Sequence, residues 1–381
     1  MKMICSGIKN KSAGFSLIEI MVALVIGLLT TLAITQTLAV FEGQKRTTTN
    51  GADAQTNGLV AMHMLETDIR MAGYGITNSG SLACTKINTY YNGAVTLDQS
   101  MAPVIITDGG TGSDTIDVLF SSSAFGSAPA RIVVDMPTPS NVLTVNDASG
   151  INTCDFILLA TPSTGASCTR MQVTGIHTTA NGDNVLTSSG QSLYDPPGGF
   201  NGTLFPPGGY TISPQSVVLN MGNFINRRYQ VTNNSLRLQD LNQANNGCSP
   251  TNPNPTLDLV SNIVNIQAQY GVAPPGVAPA NQAVNCWTDA TGNACAGTDW
   301  ANPTAAEIAR IKAVRVAIVA RSTQMEKPSM ANGACDTTTT APISWNGGPA
   351  VDLTADANWQ CYRYKVYQTI IPIRNVIWAN I

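Results

Sequence analysis

The alternation of apolar and polar positions divides the chain into three stretches. Residues 15–41 form one apolar run, interrupted by a single acid, Glu19, and by small hydroxyl or amide residues. The run is long enough for a helix that crosses a bilayer, which takes roughly 20 residues. Residues 42–75 carry apolar side chains at helical spacing, so they predict an amphipathic continuation of that helix. Its apolar stripe consists of Leu59, Met62, Leu65, Ile69 and Ala72.

From residue 76 to residue 381 the pattern changes to short apolar segments between turn clusters, which predicts a β-rich head. The predicted strands are residues 115–121, 131–136, 141–145, 155–160, 170–176, 216–220, 224–231, 235–239, 263–270, 311–321 and 362–373. Asn233 and Asn234 predict a hairpin turn, and residues 305–310 predict one short helix. A long helix packed on an antiparallel sheet is an α+β fold.

The start of the apolar run carries the most specific motif, Gly14-Phe15-Ser16-Leu17-Ile18-Glu19. An ionised carboxylate at mid-bilayer costs roughly 2.5–3.5 kcal/mol, which a plain anchor has no reason to carry. The segment resembles the N-terminus of type IV prepilins, with the pattern G-F-[ST]-L-x-E. That resemblance implies that residues 1–14 are a leader, that prepilin peptidase cleaves between Gly14 and Phe15, and that Phe15 is N-methylated. Residues 15–41 then serve both as transmembrane and as assembly helix.

Two other interpretations of this segment remain open from the residues. A secretory signal cut after Ala39 would leave Glu19 inside an unusually long apolar region. A plain signal anchor would leave Glu19 unexplained.

Glu19 itself also has two compatible roles. The Ser16-x-x-Glu19 spacing is that of a capping box, and the prepilin resemblance implies pairing with the α-amine of a neighbouring subunit's Phe15.

Composition and charge favour a protein outside the cytoplasm. Charged residues are 11% of the 381 residues, and the formal net charge is −3. Lysines 2, 9 and 11 precede the apolar run, which by the positive-inside rule keeps the leader cytoplasmic. No basic stripe is visible, which argues against nucleic-acid binding.

Eight cysteines follow the leader, and an even number in an exported chain predicts disulfides. They are Cys84, Cys154, Cys168, Cys248, Cys286, Cys295, Cys335 and Cys361. Eight cysteines allow 105 pairings. Near neighbours give the expected pairs Cys154–Cys168, Cys286–Cys295 and Cys335–Cys361. No C-x-x-C occurs, so a zinc ribbon is not expected.

Several segments of the head resemble the PilW family of minor pilins. Asp68–Tyr74 is similar to its helix-ending R-x-A-G-Y signature. The other similar segments are Gly112–Val118 (G-S-D-x-L-x-V), Ile263–Gly271, Val314–Ser322 and Tyr367–Asn375. The resemblance implies a pilin-like fold, to which this chain adds long loops that are expected to carry the disulfides.

No catalytic constellation is recognisable. The two histidines, His63 and His177, have no metal-ligand or nucleophile neighbour at useful spacing, and there is no P-loop, G-x-S-x-G or H-E-x-x-H. Asp108, Asp114 and Asp117 fit no regular Ca²⁺ loop, so a turn followed by a strand is expected there. The sequence therefore predicts neither an enzyme nor a cofactor.

The prepilin and PilW resemblances together imply a minor pilin that helps to initiate or cap a type IV pilus. Its expected partners are other minor pilins, the major pilin, prepilin peptidase, the inner-membrane assembly platform and a large tip adhesin. The precursor is expected in the inner membrane with a periplasmic head, and later in the pilus at the cell surface. One alternative is a J-type minor pseudopilin of type II secretion. Another, of a different class, is a signal-anchored periplasmic binding or adhesive module.

Overall fold

The computed structural model describes residues 14–78, 81–124, 128–139, 142–162, 166–187, 192–197, 200, 203–241, 244–246, 248–252, 256–277, 282–328 and 333–378. Residues 1–13 of the expected leader lie outside the described residues. The chain forms two compact units, one ending at Ala52 and one beginning at Asp53. Helix α1, Leu17–Met71, crosses that boundary, so its two parts are described separately.

The second unit contains the β head and two further short helices. Its strands are β1 (Thr77–Asn78), β2 (Ser81–Leu82), β3 (Lys86–Tyr91), β4 (Ala94–Ser100), β5 (Val104–Thr107), β6 (Thr115–Ser121), β7 (Ala130–Arg131), β8 (Val142–Val145), β9 (Phe156–Ala160), β10 (Cys168–Gln172), β11 (Gly175–Thr179), β12 (Gly182–Leu186), β13 (Val217–Gly222), β14 (Phe224–Thr232), β15 (Ser235–Asp240), β16 (Ala244–Asn246), β17 (Ser249–Asn252), β18 (Thr256–Ser261), β19 (Ile263–Val272), β20 (Cys286–Thr288), β21 (Ile311–Arg321) and β22 (Tyr364–Pro372). The short helices are α2 (Ala305–Ile308) and α3 (Arg374–Trp378).

Two antiparallel sheets cover the helical part of the second unit. One has the order β18-β15-β14-β6-β5 and the other the order β20-β19-β21-β22. Apolar side chains from the last turns of α1 and from Ala72, which follows the helix, share one core with the inner faces of both sheets. Leu65 and Ile69 on the helix, Ile116 on β6 and Val316 on β21 are fully buried there. Because both sheets and the helix contribute, this core holds the α+β arrangement together.

A second group of strands in the same unit, which we call the insert lobe (within residues 81–102 and 128–222), forms two further sheets. Its six-stranded sheet has the order β4-β3-β10-β9-β13-β7, and a three-stranded sheet has the order β11-β12-β8. The pairing of β3 with β10 is parallel, and the other neighbouring strands of these two sheets pair antiparallel. The two faces of the six-stranded sheet bury different cores, represented by Leu158 on one face and Ile157 on the other.

Four disulfides link the eight cysteines of the head: Cys84–Cys168, Cys154–Cys248, Cys286–Cys295 and Cys335–Cys361. The disulfide framework and two of the expected near-neighbour pairs are therefore confirmed. The expected pair Cys154–Cys168 is wrong.

The geometry of the β9–β10 hairpin explains that error. Thr169 pairs with Leu159 at one end of the hairpin, whereas the Cys154 N–H donates to Val173 O beyond the other end. Cys154 and Cys168 consequently lie at opposite ends of β10, on the order of 17 Å apart at the rise of a β-strand. Each pairs instead with a cysteine from a distant segment of the chain.

Candidate assembly site

The N-terminus of α1 places Glu19 in its first turn. Glu19 Oε2 accepts a hydrogen bond from the Ser16 N–H at 2.9 Å, just before the helix begins at Leu17. This is the carboxylate arm of a capping box, and it satisfies one of the N–H groups that a helix start leaves without a helical partner. The adjacent Phe15 is 84% exposed. The structure therefore presents Phe15 and the Glu19 carboxylate at the same helix end.

The side chains of α1 that follow are apolar and uncovered. Every residue from 14 to 45 is exposed, including Leu24, Leu28 and Phe41. This helix contains a stretch that is long and apolar enough to cross a membrane, with a mean hydropathy of 2.5. An apolar surface of this size needs lipid or other protein around it.

Threonine hydroxyls in this stretch bond to the helix itself. Thr31 Oγ1 donates to Gly27 O at 3.0 Å, and Thr37 Oγ1 donates to Ala33 O at 3.0 Å. Thr30 Oγ1 likewise donates to Ile26 O. Back-bonding of this kind satisfies a hydroxyl that has no water partner. The threonines are therefore compatible with an apolar surrounding, and Glu19 is the one ionisable group between residues 15 and 41.

The other end of α1 is capped by a residue from the far end of the chain. Asn375 Nδ2, in α3, donates towards the carbonyl oxygens of Met71 and Ala72 at 3.2 and 3.1 Å. Those carbonyls belong to the last turn, where helical partners run out. Gly73 follows with a φ of +81°, and its N–H donates to Leu119 O on β6. The Asp68–Tyr74 and Tyr367–Asn375 segments thus meet at one helix end.

A buried acid fastens the last turns of α1 to the five-stranded sheet. Asp68 is 7% exposed. Arg227 Nη1 donates to both of its carboxylate oxygens at 3.1 and 3.0 Å, and the Tyr229 hydroxyl donates to Oδ2 at 2.6 Å. Burial and the neighbouring carboxylate raise the pKa of Tyr229, so the phenol stays a donor. Arg70 makes a shorter-range contact, an ion pair with Glu66 on the same helix.

The Gly112–Val118 segment links the two sheets of the helix core. Asp114 Oδ1 accepts from the Gly109 N–H at 2.8 Å, and Oδ2 accepts from the Ala268 N–H on β19 at 2.7 Å. Burial, partly offset by these two hydrogen bonds, raises the pKa of Asp114 to about 7. Asp117 instead forms an ion pair with Arg228. Among the described residues, no group of three or more His, Cys, Asp or Glu side chains is arranged to hold a metal ion.

The structure brings the Asp68–Tyr74 segment into contact with the Tyr367–Asn375 segment, and the Gly112–Val118 segment into contact with β19. Glu19 and Phe15 lie at the N-terminal end of α1, and the contacts of Asp68, Asp114 and Asn375 lie within the second unit. Arg227, Tyr229 and the capping role of Asn375 are not signalled by local sequence, because their partners lie more than 150 residues away.

An exposed apolar helix that follows a Gly–Phe junction and leads into an antiparallel β head defines a pilin-like protein, a class that is structural rather than catalytic. Two family models agree with that class. The model of the prokaryotic N-terminal methylation motif matches residues 9–35, and the model of the type IV pilus-assembly protein W matches residues 228–375. The matches support a type IV pilus minor pilin of the PilW family. No curated protein and no solved structure matches the chain.

Proposed function

We propose that this chain is a minor pilin that helps to initiate or cap type IV pilus assembly and enters the filament through its N-terminal helix. The observation that carries the proposal is the exposed apolar helix with Glu19 at its start. Cleavage between Gly14 and Phe15 creates a new α-amine four residues from Glu19. In an apolar bundle the carboxylate needs a cationic partner, because an unpaired buried charge is costly. The methylated amine of a neighbouring subunit supplies one.

The disulfides and the charge pattern support a location for each part of the precursor. Disulfides persist in oxidising compartments, and the head contains four. The lysines at positions 2, 9 and 11 precede the apolar helix and favour a cytoplasmic leader. We therefore place the precursor in the inner membrane as a single-pass protein with a periplasmic head. After processing it passes into the pilus at the cell surface.

The match of residues 228–375 to the pilus-assembly protein W model supports a role in assembly rather than as the bulk subunit. Prepilin peptidase and the inner-membrane assembly platform are the partners that the N-terminal helix requires. Other minor pilins and the major pilin are the partners of its apolar surface. A large tip adhesin is the partner that we assign to the head.

Replacement of Glu19 tests the proposed insertion directly. Glu19→Ala should leave cleavage after Gly14 intact and reduce the amount of this chain in sheared pili about tenfold or more, because the intersubunit ion pair is lost. Glu42→Ala is the matched control, since Glu42 is an exposed acid on the same helix beyond the apolar run. Incorporation of the Glu19→Ala chain at the wild-type level would contradict the proposal.

A deletion experiment tests the assembly role. Cells that lack this chain should carry fewer pili by electron microscopy, with the cellular level of major pilin unchanged. Complementation with the wild-type chain should restore them, whereas a Gly14→Ala chain should be processed slowly or not at all and should restore fewer. Normal piliation combined with a defect in type II secretion would instead identify the chain as a minor pseudopilin.

A further inference from the structure

A polar cavity is lined by residues of β3, β4 and β10 in the insert lobe and by residues of β6 and β14 in the five-stranded sheet. It has a volume of about 350 Å³ and is partly open to solvent. A volume near this value is at the lower end of the range of small-molecule sites. The polar and charged residues of its lining include Thr89, Gln99, Ser100, Arg170, Tyr194 and Asn226. All six precede residue 228, where the segment that matches the pilus-assembly family model begins, whereas Leu241, which also lines the cavity, falls within that segment.

Arg170 gives the cavity a positive charge between aromatic rings. Its guanidinium carbon lies 5.2 Å from the ring centroid of Phe156, 5.1 Å from that of Tyr194 and 5.8 Å from that of Phe224. Burial lowers the pKa of Arg170 to about 10, and electrostatic interactions with the neighbouring Tyr194 and Asp195 oppose that shift. The side chain therefore stays cationic at neutral pH. Aromatic walls strengthen its electrostatic attraction, because they exclude water from the charge.

Tyr194 adds a hydrogen-bond donor in the same wall. The residue is 3% exposed, and its hydroxyl has no hydrogen-bond partner in the described part of the chain. Burial raises the pKa of Tyr194 to about 12, so the phenol keeps its proton. A buried hydroxyl without a partner is unfavourable, and such groups in folded proteins call for an explanation. An acceptor oxygen of a ligand would satisfy it.

We propose that this cavity binds a ligand of monosaccharide size that carries a carboxylate, an acidic sugar. The Arg170 guanidinium matches the geometry of a carboxylate, for which its planar set of donors is suited. Tyr194 donates to a second oxygen of the ligand. Hydroxyl and amide groups of Ser100, Gln99 and Asn226 at the rim then contact ring hydroxyls, and the aromatic side chains contact the apolar face of the ring.

Calorimetric titration of the full chain, purified in detergent, tests the proposal with D-glucuronate as the probe. D-glucose has the same ring without the carboxylate, and acetate has the carboxylate without the ring. We expect glucuronate to bind with a Kd of about 1 mM or tighter and at least tenfold more tightly than either control compound. Absence of glucuronate binding, or equal binding of glucose or acetate, would overturn the proposal.

Variants of the cavity locate the binding. Arg170→Met should weaken glucuronate binding about tenfold or more, since a charge-assisted contact is lost. Tyr194→Phe keeps the ring and its packing, and it should weaken binding severalfold. Arg131→Met removes an exposed arginine of the same sheet outside the cavity and should have no effect. Intact disulfides and an unchanged thermal transition serve as the folding check. Wild-type affinity in both cavity variants would refute this site.

Discussion

Asp68 joins α1 to the five-stranded sheet, and its replacement by alanine should destabilise the head markedly. The change removes the acceptor for Arg227 Nη1 and for the Tyr229 hydroxyl and leaves the phenol, in a residue that is 2% exposed, without that partner. A hydrogen bond to a charged group contributes about 1.5–3 kcal/mol. The Arg227 side chain is 36% exposed, so solvent screening reduces its share. We therefore expect a loss of about 2–4 kcal/mol in the free energy of unfolding.

Glu66 offers a matched control two residues away on the same helix. It also pairs with an arginine, Arg70, but both side chains are more exposed, at 27% and 39%. An i,i+4 surface pair contributes about 0.3–0.5 kcal/mol, so Glu66→Ala should be nearly neutral. Asp68→Asn keeps an acceptor for Tyr229 without the charge and should fall between the two alanine variants.

Urea unfolding of the full chain, followed by tryptophan fluorescence, measures these differences. Trp300 is fully buried in the same core and contributes to the signal. The comparison needs equal m-values, since a change in slope reports a change in the unfolded or native state instead. If Asp68→Ala and Glu66→Ala lose the same stability within about 0.5 kcal/mol, the Asp68 contacts do not fasten the helix as we argue.

Three further changes probe other parts of the head. Burial raises the pKa of Asp195 to about 7, so the native state holds a proton that the unfolded state releases near pH 4. The free energy of unfolding should therefore fall as the pH rises from about 4 to about 7, and Asp195→Asn should flatten that slope by up to about 1.4 kcal/mol per pH unit. Urea midpoints that vary with pH in the same way in both proteins would contradict this. Replacing Cys84 and Cys168 by alanine opens a loop of 84 residues and should lower the free energy of unfolding by about 4.5 kcal/mol. Replacing Cys286 and Cys295, which are 9 residues apart, should lower it by about 2.5 kcal/mol. Equal losses of stability in thermal unfolding would show that loop length does not set the difference. A Cβ at Gly58 would lie 2.2 Å from the Tyr367 ring, so Gly58→Ala should destabilise the head despite the better helix propensity of alanine. Adding Tyr367→Ala should remove that clash. A single Gly58→Ala variant that is more stable than the wild type would refute the close packing.

Sequence pattern located several strands that lie inside a sheet, although it missed β3 and β12. The strands predicted at residues 115–121 and 311–321 have those limits in the structure. The predicted Asn233–Asn234 turn is confirmed, with φ angles of 54° and 56°. The short helix predicted at residues 305–310 is present as Ala305–Ile308, where Thr304 and Glu307 form a capping box. In each case the signal is local, because burial or turn chemistry acts on neighbouring residues.

Other strands gave no such signal or were predicted with wrong limits. β4 is paired with β3, yet all but one of its residues are exposed, so its sequence lacks apolar alternation. The single strand predicted at residues 170–176 is two strands in different sheets, because the chain leaves β10 after Gln172 and starts β11 at Gly175. The strand predicted at residues 131–136 is reduced to Ala130–Arg131. β7 pairs with β13, which lies far along the chain, so no local pattern marks the limits of β7.

The candidate sites also differ in how far the sequence alone predicts them. The Gly14-Phe15 junction and Glu19 lie within six residues, so a local sequence motif is enough to recognise the site. Arg170 and Tyr194 of the insert lobe come together with Phe224 of β14 only in the folded chain, and no spacing rule connects the three residues. The disulfide Cys154–Cys248 spans 94 residues and was missed for the same reason.

Mass spectrometry of the N-terminal peptide of the protein isolated from cells tests the central claim most directly. The claim is that α1 is a processed pilin helix rather than a permanent anchor. We predict a mature chain that begins at Phe15 and carries one methyl group on its α-amine. A chain that retains Met1, or one that begins at Val40 after cleavage behind Ala39, would contradict it.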